Sequence, residues 1–132
     1  MRYWQIGSKW SNDSLLEIFK EHGVVFFGSD CKVHGDHTKV KKGDIIFIRK
    51  SQTLLAKAIV ESEFKEFSHS HPLWDKLKSY QKTMGTNKPV YICYVQIKVL
   101  PKDKWVQVYI RNRFTGLGPK SLANLRASGI IN

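Results

Sequence analysis

Hydrophobic and polar positions along this chain fall into short blocks whose period switches several times. Residues 3–8 put Trp4 and Ile6 on one side of an extended segment and read as a short strand. Residues 11–14, Ser-Asn-Asp-Ser, then supply helix-start residues, with Ser14 and Glu17 at the spacing of a capping box. Leu15, Ile18, Phe19 and His22 recur at helical spacing, and Gly23 is a natural stop. Residues 24–27 are β-branched and aromatic, hence a strand, and residues 29–42 are polar and read as a loop. Two apolar runs, 44–49 and 54–61, are joined by a short polar connection and predict a hairpin. Residues 64–72 are irregular, and Pro72 marks a helix start. The spacing predicts a helix over 73–82, with Leu73, Trp74, Leu77 and Tyr80 near one face. Residues 90–100 form a long strand with Tyr91, Cys93, Val95, Ile97 and Val99 on one face, ended by Pro101. Residues 105–110 alternate as another strand, and 116–119 lead into a short helix over 121–128. About six strands and three helices imply an α+β fold: a small, strongly curved sheet or barrel flanked by helices.

The chain has 132 residues. That is a prior for one domain spanning 1–132, and a chain this size buries roughly 70% of its extended surface. Four Trp, five Tyr and seven Phe give it a core, and a mean hydropathy of −0.35 places it with soluble globular proteins. No apolar run approaches ~18 residues, and the first residues lack a signal-peptide core. No membrane partner and a cytoplasmic location are therefore expected. Cys31 and Cys93 are too few for a disulfide framework.

Charge narrows the function. Lys and Arg number 22 against 11 Asp and Glu, a net charge of +11, and the pI is 9.8. So basic a domain attracts polyanions. The cations are segregated: Lys39, Lys41, Lys42, Arg49 and Lys50 surround one strand, and Arg111, Arg113 and Lys120 enrich the C-terminal third. The acids gather at 17–21 and 61–66. Segregation favours a binding face over general solubility.

Three stretches carry a resemblance to the PUA-like superfamily, and within it to the EVE and YTH branches. They are Tyr3-Trp4-Gln5-Ile6-Gly7-Ser8 before the first helix, Val25-Phe26-Phe27-Gly28-Ser29, and the Gly43-Asp44 entry to an apolar strand. The resemblance covers roughly residues 3–110. It implies a PUA-like curved barrel that reads a modified base in an aromatic cage. Where YTH domains place a cage Trp, this chain has Phe27. Similar modules precede the GTPase of McrB-type subunits in modification-dependent restriction systems. The resemblance thus implies a DNA-targeting domain, the N-terminal part of a longer protein with a GTPase domain and a nuclease subunit as partners. No nucleotide-binding Gly-x-x-x-x-Gly-Lys-Ser/Thr pattern occurs in the chain. The Gly-x-Lys-x-x-Glu-x-Arg pattern of catalytic ASCH members, another PUA-like branch, is not found either.

Reading an everted base requires flat walls to stack on it, polar groups for its edge, and cations for the flanking phosphates. Trp10, in a polar loop, Phe27, at a strand end, and Trp74, after the hairpin, are the candidate walls. Ser8, Asn12 and Asp13 are candidates for the base edge, and Asp13 also suits a helix entry. Lys39, Lys41, Lys42, Arg49, Lys50, Arg111, Arg113 and Lys120 are the candidate phosphate contacts. Gly116-Leu117-Gly118-Pro119-Lys120-Ser121 resembles the hairpin of helix-hairpin-helix motifs, but the segment before it reads as a strand and no second full helix follows, so a plain Gly-Pro turn before a helix is the preferred reading. Cys31, His34, Asp36 and His37, with His69 or His71, offer metal-ligand types but not the paired spacing of a zinc site. No nucleophile motif or carboxylate pair stands out. The sequence therefore predicts a non-catalytic module without a cofactor that binds nucleic acid, DNA before RNA. An RNA-binding YTH-like reader, a small metal-dependent nuclease on His34, Asp36 and His37, and a protein-interaction domain are the competing readings.

Overall fold

The computed structural model describes residues 2–10, 13–28, 36–67, 71–73, 75, 90–108 and 114–131. Strand β1 (Tyr3–Gly7) is followed by a two-residue ladder, β2 (Lys9–Trp10) against β3 (Asp13–Ser14). Helix α1 (Leu16–His22) begins later than predicted, with Leu15 rather than Ser14 at its N-cap. The physical reason is that the Asp13–Ser14 backbone is committed to the ladder, while the Leu15 amide donates to the Ser8 carbonyl at 2.6 Å. Gly23 ends α1 in the left-handed region, at φ 64°, as its position predicts.

Then come β4 (Val24–Gly28), a 3-10 turn (Asp36–Lys39), the hairpin β5 (Ile45–Lys50) and β6 (Thr53–Val60), and β7 (Lys65–Phe67). The long β8 (Val90–Val99) leads through a 3-10 turn (Lys102–Lys104) to β9 (Val106–Gln107), β10 (Phe114–Gly116) and α2 (Pro119–Ala127). Strands β7 and β10 lie where no strand was expected, and the 3-10 turn at 36–39 lies inside the predicted loop. The strand expected over 105–110 pairs at Val106 and Gln107, because the Trp105 amide turns back to the Lys102 carbonyl. The helix expected over 73–82 lies almost wholly outside the described residues.

The sheet runs β10-β1-β5-β6-β8-β4, with β7 on β8 and β9 on β6. The β1–β5 pair is parallel and its other pairings are antiparallel. Five steps of about 4.8 Å would hold the two ends of that path some 24 Å apart in a flat sheet. Instead Phe27 of β4 stacks on Phe114 of β10 with ring centroids 5.8 Å apart. The sheet has therefore curled until its ends touch through side chains, an α+β architecture built on a half-barrel.

Alternation gives the sheet two faces. The inner face collects Trp4, Ile6, Ile46, Ile48, Ala56, Ala58, Cys93 and Val95, with Phe19 and Phe26 where α1 packs. The outer face carries a smaller core of Phe47, Leu54, Val106 and Val108 beneath Leu125 of α2. No helix among the described residues is long and apolar enough to cross a membrane.

Candidate nucleic-acid interface

The aromatic residues converge at the seam where the sheet ends meet. Phe114 stacks on Trp4 at 5.7 Å and on Phe27 at 5.8 Å, and Phe64 meets it edge-on at 5.1 Å. Phe27 also touches Phe64, Tyr91 and His37, each at 5.5 Å. His37 and Tyr91 approach to 4.4 Å. Phe27 and Phe114 are fully buried, whereas His37, Phe64 and Tyr91 are half-buried and form the rim.

This arrangement corrects the reading of Phe27 as an open cage wall. Its β4 register against Tyr91 turns the ring into the seam, where it is the floor beneath the three rim rings. Tyr91 was legible as an inward residue of the long strand. Phe64 sits in a stretch with no period, and His37 draws attention first as a metal ligand.

Ser8 is also committed elsewhere. Its hydroxyl donates to the Arg49 carbonyl at 2.8 Å in a fully buried position. Arg49 is no phosphate contact: its Nε donates to Gln5 Oε1 at 2.6 Å and its Nη1 to the Ser51 carbonyl at 2.7 Å. A bulge between Ile48 and Arg49, and Ser51 at φ 54°, fold the hairpin end back over the guanidinium. Lys39, Lys41, Lys42 and Lys120 are exposed, and Lys50 is half-buried. Asn12, Trp74, Arg111 and Arg113 lie outside the described residues, as do the side chains of Trp10 and Asp13. So do Cys31, His34, His69 and the side chain of Asp36. Among the described residues no group of His, Cys, Asp and Glu is placed to hold a metal ion.

The segment from His37 to Asp44 links the rim to the sheet. Val40 is buried, which fixes the path between exposed Lys39 and Lys41. Asp44, buried, accepts from Trp4 Nε1 at 3.0 Å, from the Arg2 amide at 3.0 Å and from the Lys41 amide at 3.0 Å. Burial by itself would raise its pKa. The three bonds outweigh that and hold the carboxyl below its ordinary 3.8.

A second cluster lies on the other side of β8. Tyr94, Ser62, Glu63, Glu66 and His71 line a partly open pocket of about 160 Å³. The Leu73 amide donates to His71 Nδ1 at 3.1 Å, so Nε2 carries the proton of the neutral ring and faces the Tyr94 hydroxyl at 3.2 Å. Burial holds the His71 pKa below its ordinary 6.5. A depressed histidine pKa contributes stability that is whole above pH 6.5 and is lost as pH falls through the folded value. Urea midpoints should therefore drop between pH 7.5 and 5, and His71→Gln should flatten that part of the profile. Cys93, beside this pocket, donates to the Ser62 carbonyl at 3.1 Å, and burial pushes its thiol up to about 12. It is a core side chain and no nucleophile.

Two solved structures share the fold. A crystal structure of a serine-to-alanine variant of ZmASCH from Zymomonas mobilis is 10% identical, with a TM-score of 0.53 over 96% of this chain and 95% of that one. The NMR structure of Rpa0253 from Rhodopseudomonas palustris is 13% identical, with a TM-score of 0.50 over 100% of this chain and 96% of that one. At such identities the likeness shows a shared fold, the curled α+β sheet that the sequence predicts, and neither a family nor the EVE or YTH branch. No protein-family model and no curated protein matches the chain.

Proposed function

We propose that this chain is a non-catalytic nucleic-acid-binding module of PUA-like fold that reads one base, a modified one, at the aromatic seam. The observation that carries this reading is the rim itself. His37 and Tyr91, 4.4 Å apart, and Phe64 are half-buried over a closed aromatic floor, and exposed Lys39, Lys41 and Lys42 follow His37 on the same segment. Rings fixed from below stack on a base at little entropic cost, and base–aromatic stacking contributes about 1–3 kcal/mol per base. The neighbouring ammonium groups attract the phosphates on either side. Trp10 and Trp74 remain walls of the pocket in this proposal. Duplex DNA with an everted base is the substrate placed first. A place as the targeting domain of a modification-dependent restriction system, with a GTPase and a nuclease supplied by other domains or subunits, rests on the sequence resemblance.

The test is a fluorescence-anisotropy titration against duplex DNA and single-stranded RNA, each with and without one methylated base. The modified duplex should bind tighter, with log affinity falling linearly against log salt concentration. Tyr91→Ala should lower affinity for the modified duplex by about 5- to 150-fold, the equivalent of one lost stacking contact. It should leave the unmodified duplex within a few-fold. Equal binding of modified and unmodified strands by the unaltered protein would sink the reader. A preference for the RNA would make the chain an RNA reader of the same fold.

A further inference from the structure

Among the described residues the outer face of the sheet is only half covered. Helix α2 shields Phe47 and Leu54, but the β6–β8 half lies open, and there the sequence does something costly. Lys57 of β6 and Lys98 of β8 are direct cross-strand partners. Opposed side chains on antiparallel strands have Cβ atoms roughly 5 Å apart, and like charges in that position destabilise a sheet. Among the described residues neither ammonium has a carboxylate within ion-pair distance; the ion pairs there are Lys20–Glu17 and His22–Glu21. One register step away on the same face, Ile59 pairs with Gln96. These two line a shallow groove of about 510 Å³ that continues to Lys42 and Gly43, with Glu61 as its one acidic neighbour.

We propose that this open outer face is a second phosphate-binding surface, and that it takes the phosphodiester backbone of the nucleic acid whose base is read at the seam. The proposal rests on the reading above. A phosphate placed between Lys57 and Lys98 turns their mutual repulsion into two attractions. Lys42 lies at the far end of the groove, beside Val60, three residues along β6 from Lys57. At about 3.3 Å per residue the two cationic stations are roughly 10 Å apart, within reach of one stretch of phosphodiester backbone. Lys42 also belongs to the His37–Asp44 segment that leaves the rim. A single strand of backbone thus has a continuous cationic path from seam to outer face. The groove between the stations is floored by the uncharged Ile59 and Gln96, and none of its described lining residues is aromatic, which suits a backbone more than a base.

The experiment compares the Lys57→Gln/Lys98→Gln double variant with a Lys20→Gln/Lys65→Gln control of equal charge change, using the same four oligonucleotides. The double variant should lose about two phosphate contacts. Its log–log salt slope should fall by about 1.8 on duplex or 1.4 on a single strand, and its affinity at 0.1 M salt by about 25- to 60-fold. Modified and unmodified strands should weaken by the same factor, so the discrimination ratio stays as it was. Its melting temperature should not fall, because a like-charge pair has been removed. An unchanged salt slope, or an equal loss in the control, overturns the proposal. So does a polyglutamate peptide of matched charge that binds the unaltered protein as tightly as the oligonucleotides, since the face would then fit an acidic protein. If the unaltered protein fails to discriminate the modified base but the double variant still shows the predicted slope change, the base reader falls and the phosphate surface stands. If the unaltered protein binds no oligonucleotide at low salt, both fall.

Discussion

Phe114→Ala and Phe27→Ala should each destabilise the protein by about 3–5 kcal/mol, the range for deleting a fully buried Phe side chain. Both rings are fully buried, and each is the other's neighbour across the seam at 5.8 Å. Phe114 supports three rings, Trp4, Phe27 and Phe64, so its cavity has few side chains able to relax into it. Strand β10 is three residues long and among the described strands pairs with β1, so this stacking ties the two ends of the curl. For a domain whose total stability falls in the usual range of about 5–15 kcal/mol, either change removes a large share of it. Urea unfolding gives the number. The double variant should cost less than the sum of the two single changes by about 0.5–1.5 kcal/mol, because the pair forms one aromatic contact. Additive effects would mean that the two edges do not depend on each other. Phe27→Leu should retain more than half of the lost stability, since it keeps most of the apolar volume.

What the sequence made legible follows from the range of each interaction. Strands β1, β4, β5, β6 and β8 were readable because each carries its own alternation or apolar run, and Gly23 because a helix end needs a left-handed residue at that point. The curved α+β fold followed from their number and order. Strands β7 and β10, three residues each, are too short to show a period, and they exist because β8 and β1 offer them an edge. The misplaced start of α1 has the same origin: Asp13 and Ser14 have cap chemistry, but the β2 partner claimed their backbone. Among the site residues, charge segregation pointed to the lysines of 39–42, which are exposed, whereas the rings that gather at the seam were not the ones read as pocket walls, Phe27 excepted. The part that was not legible is which side of each strand faces the seam. That is why Phe27 became a floor and Arg49 a buried anchor for Gln5, while His37, Phe64 and Tyr91 rose to the rim. The Lys57–Lys98 pair was invisible for the same reason, since a register between strands 41 residues apart has no local trace.

Asp44→Ala should cost about 3 kcal/mol and should remove most of the acid dependence of stability below pH 4. The carboxylate accepts three bonds, and the partner with most to lose is the Trp4 indole N–H, which is buried. Without Asp44 that buried donor loses its partner, and an unsatisfied buried donor costs about 1–3 kcal/mol by itself. The Arg2 and Lys41 amides lose their acceptor at the same time, so the entry to β1 and the turn before β5 come apart together. Asp44→Asn should fall between the two, because a carboxamide offers one accepting oxygen and presents an N–H₂ to donors on its other side. The sign of the pH effect follows from the depressed pKa. The unfolded chain takes up a proton near pH 3.8 while the folded chain resists it, so the contribution is whole above that value and is lost as pH falls through the folded pKa. Urea midpoints measured from pH 6 down to pH 2.5 should therefore slope downward for the unaltered protein below pH 4 and run nearly flat for Asp44→Asn. The loss at His71 begins higher, as pH falls below 6.5. An Asp44→Asn profile parallel to that of the unaltered protein would show that the acid sensitivity resides in other carboxylates, and that the tie from Trp4 to Asp44 is an ordinary neutral hydrogen bond in its energetic effect.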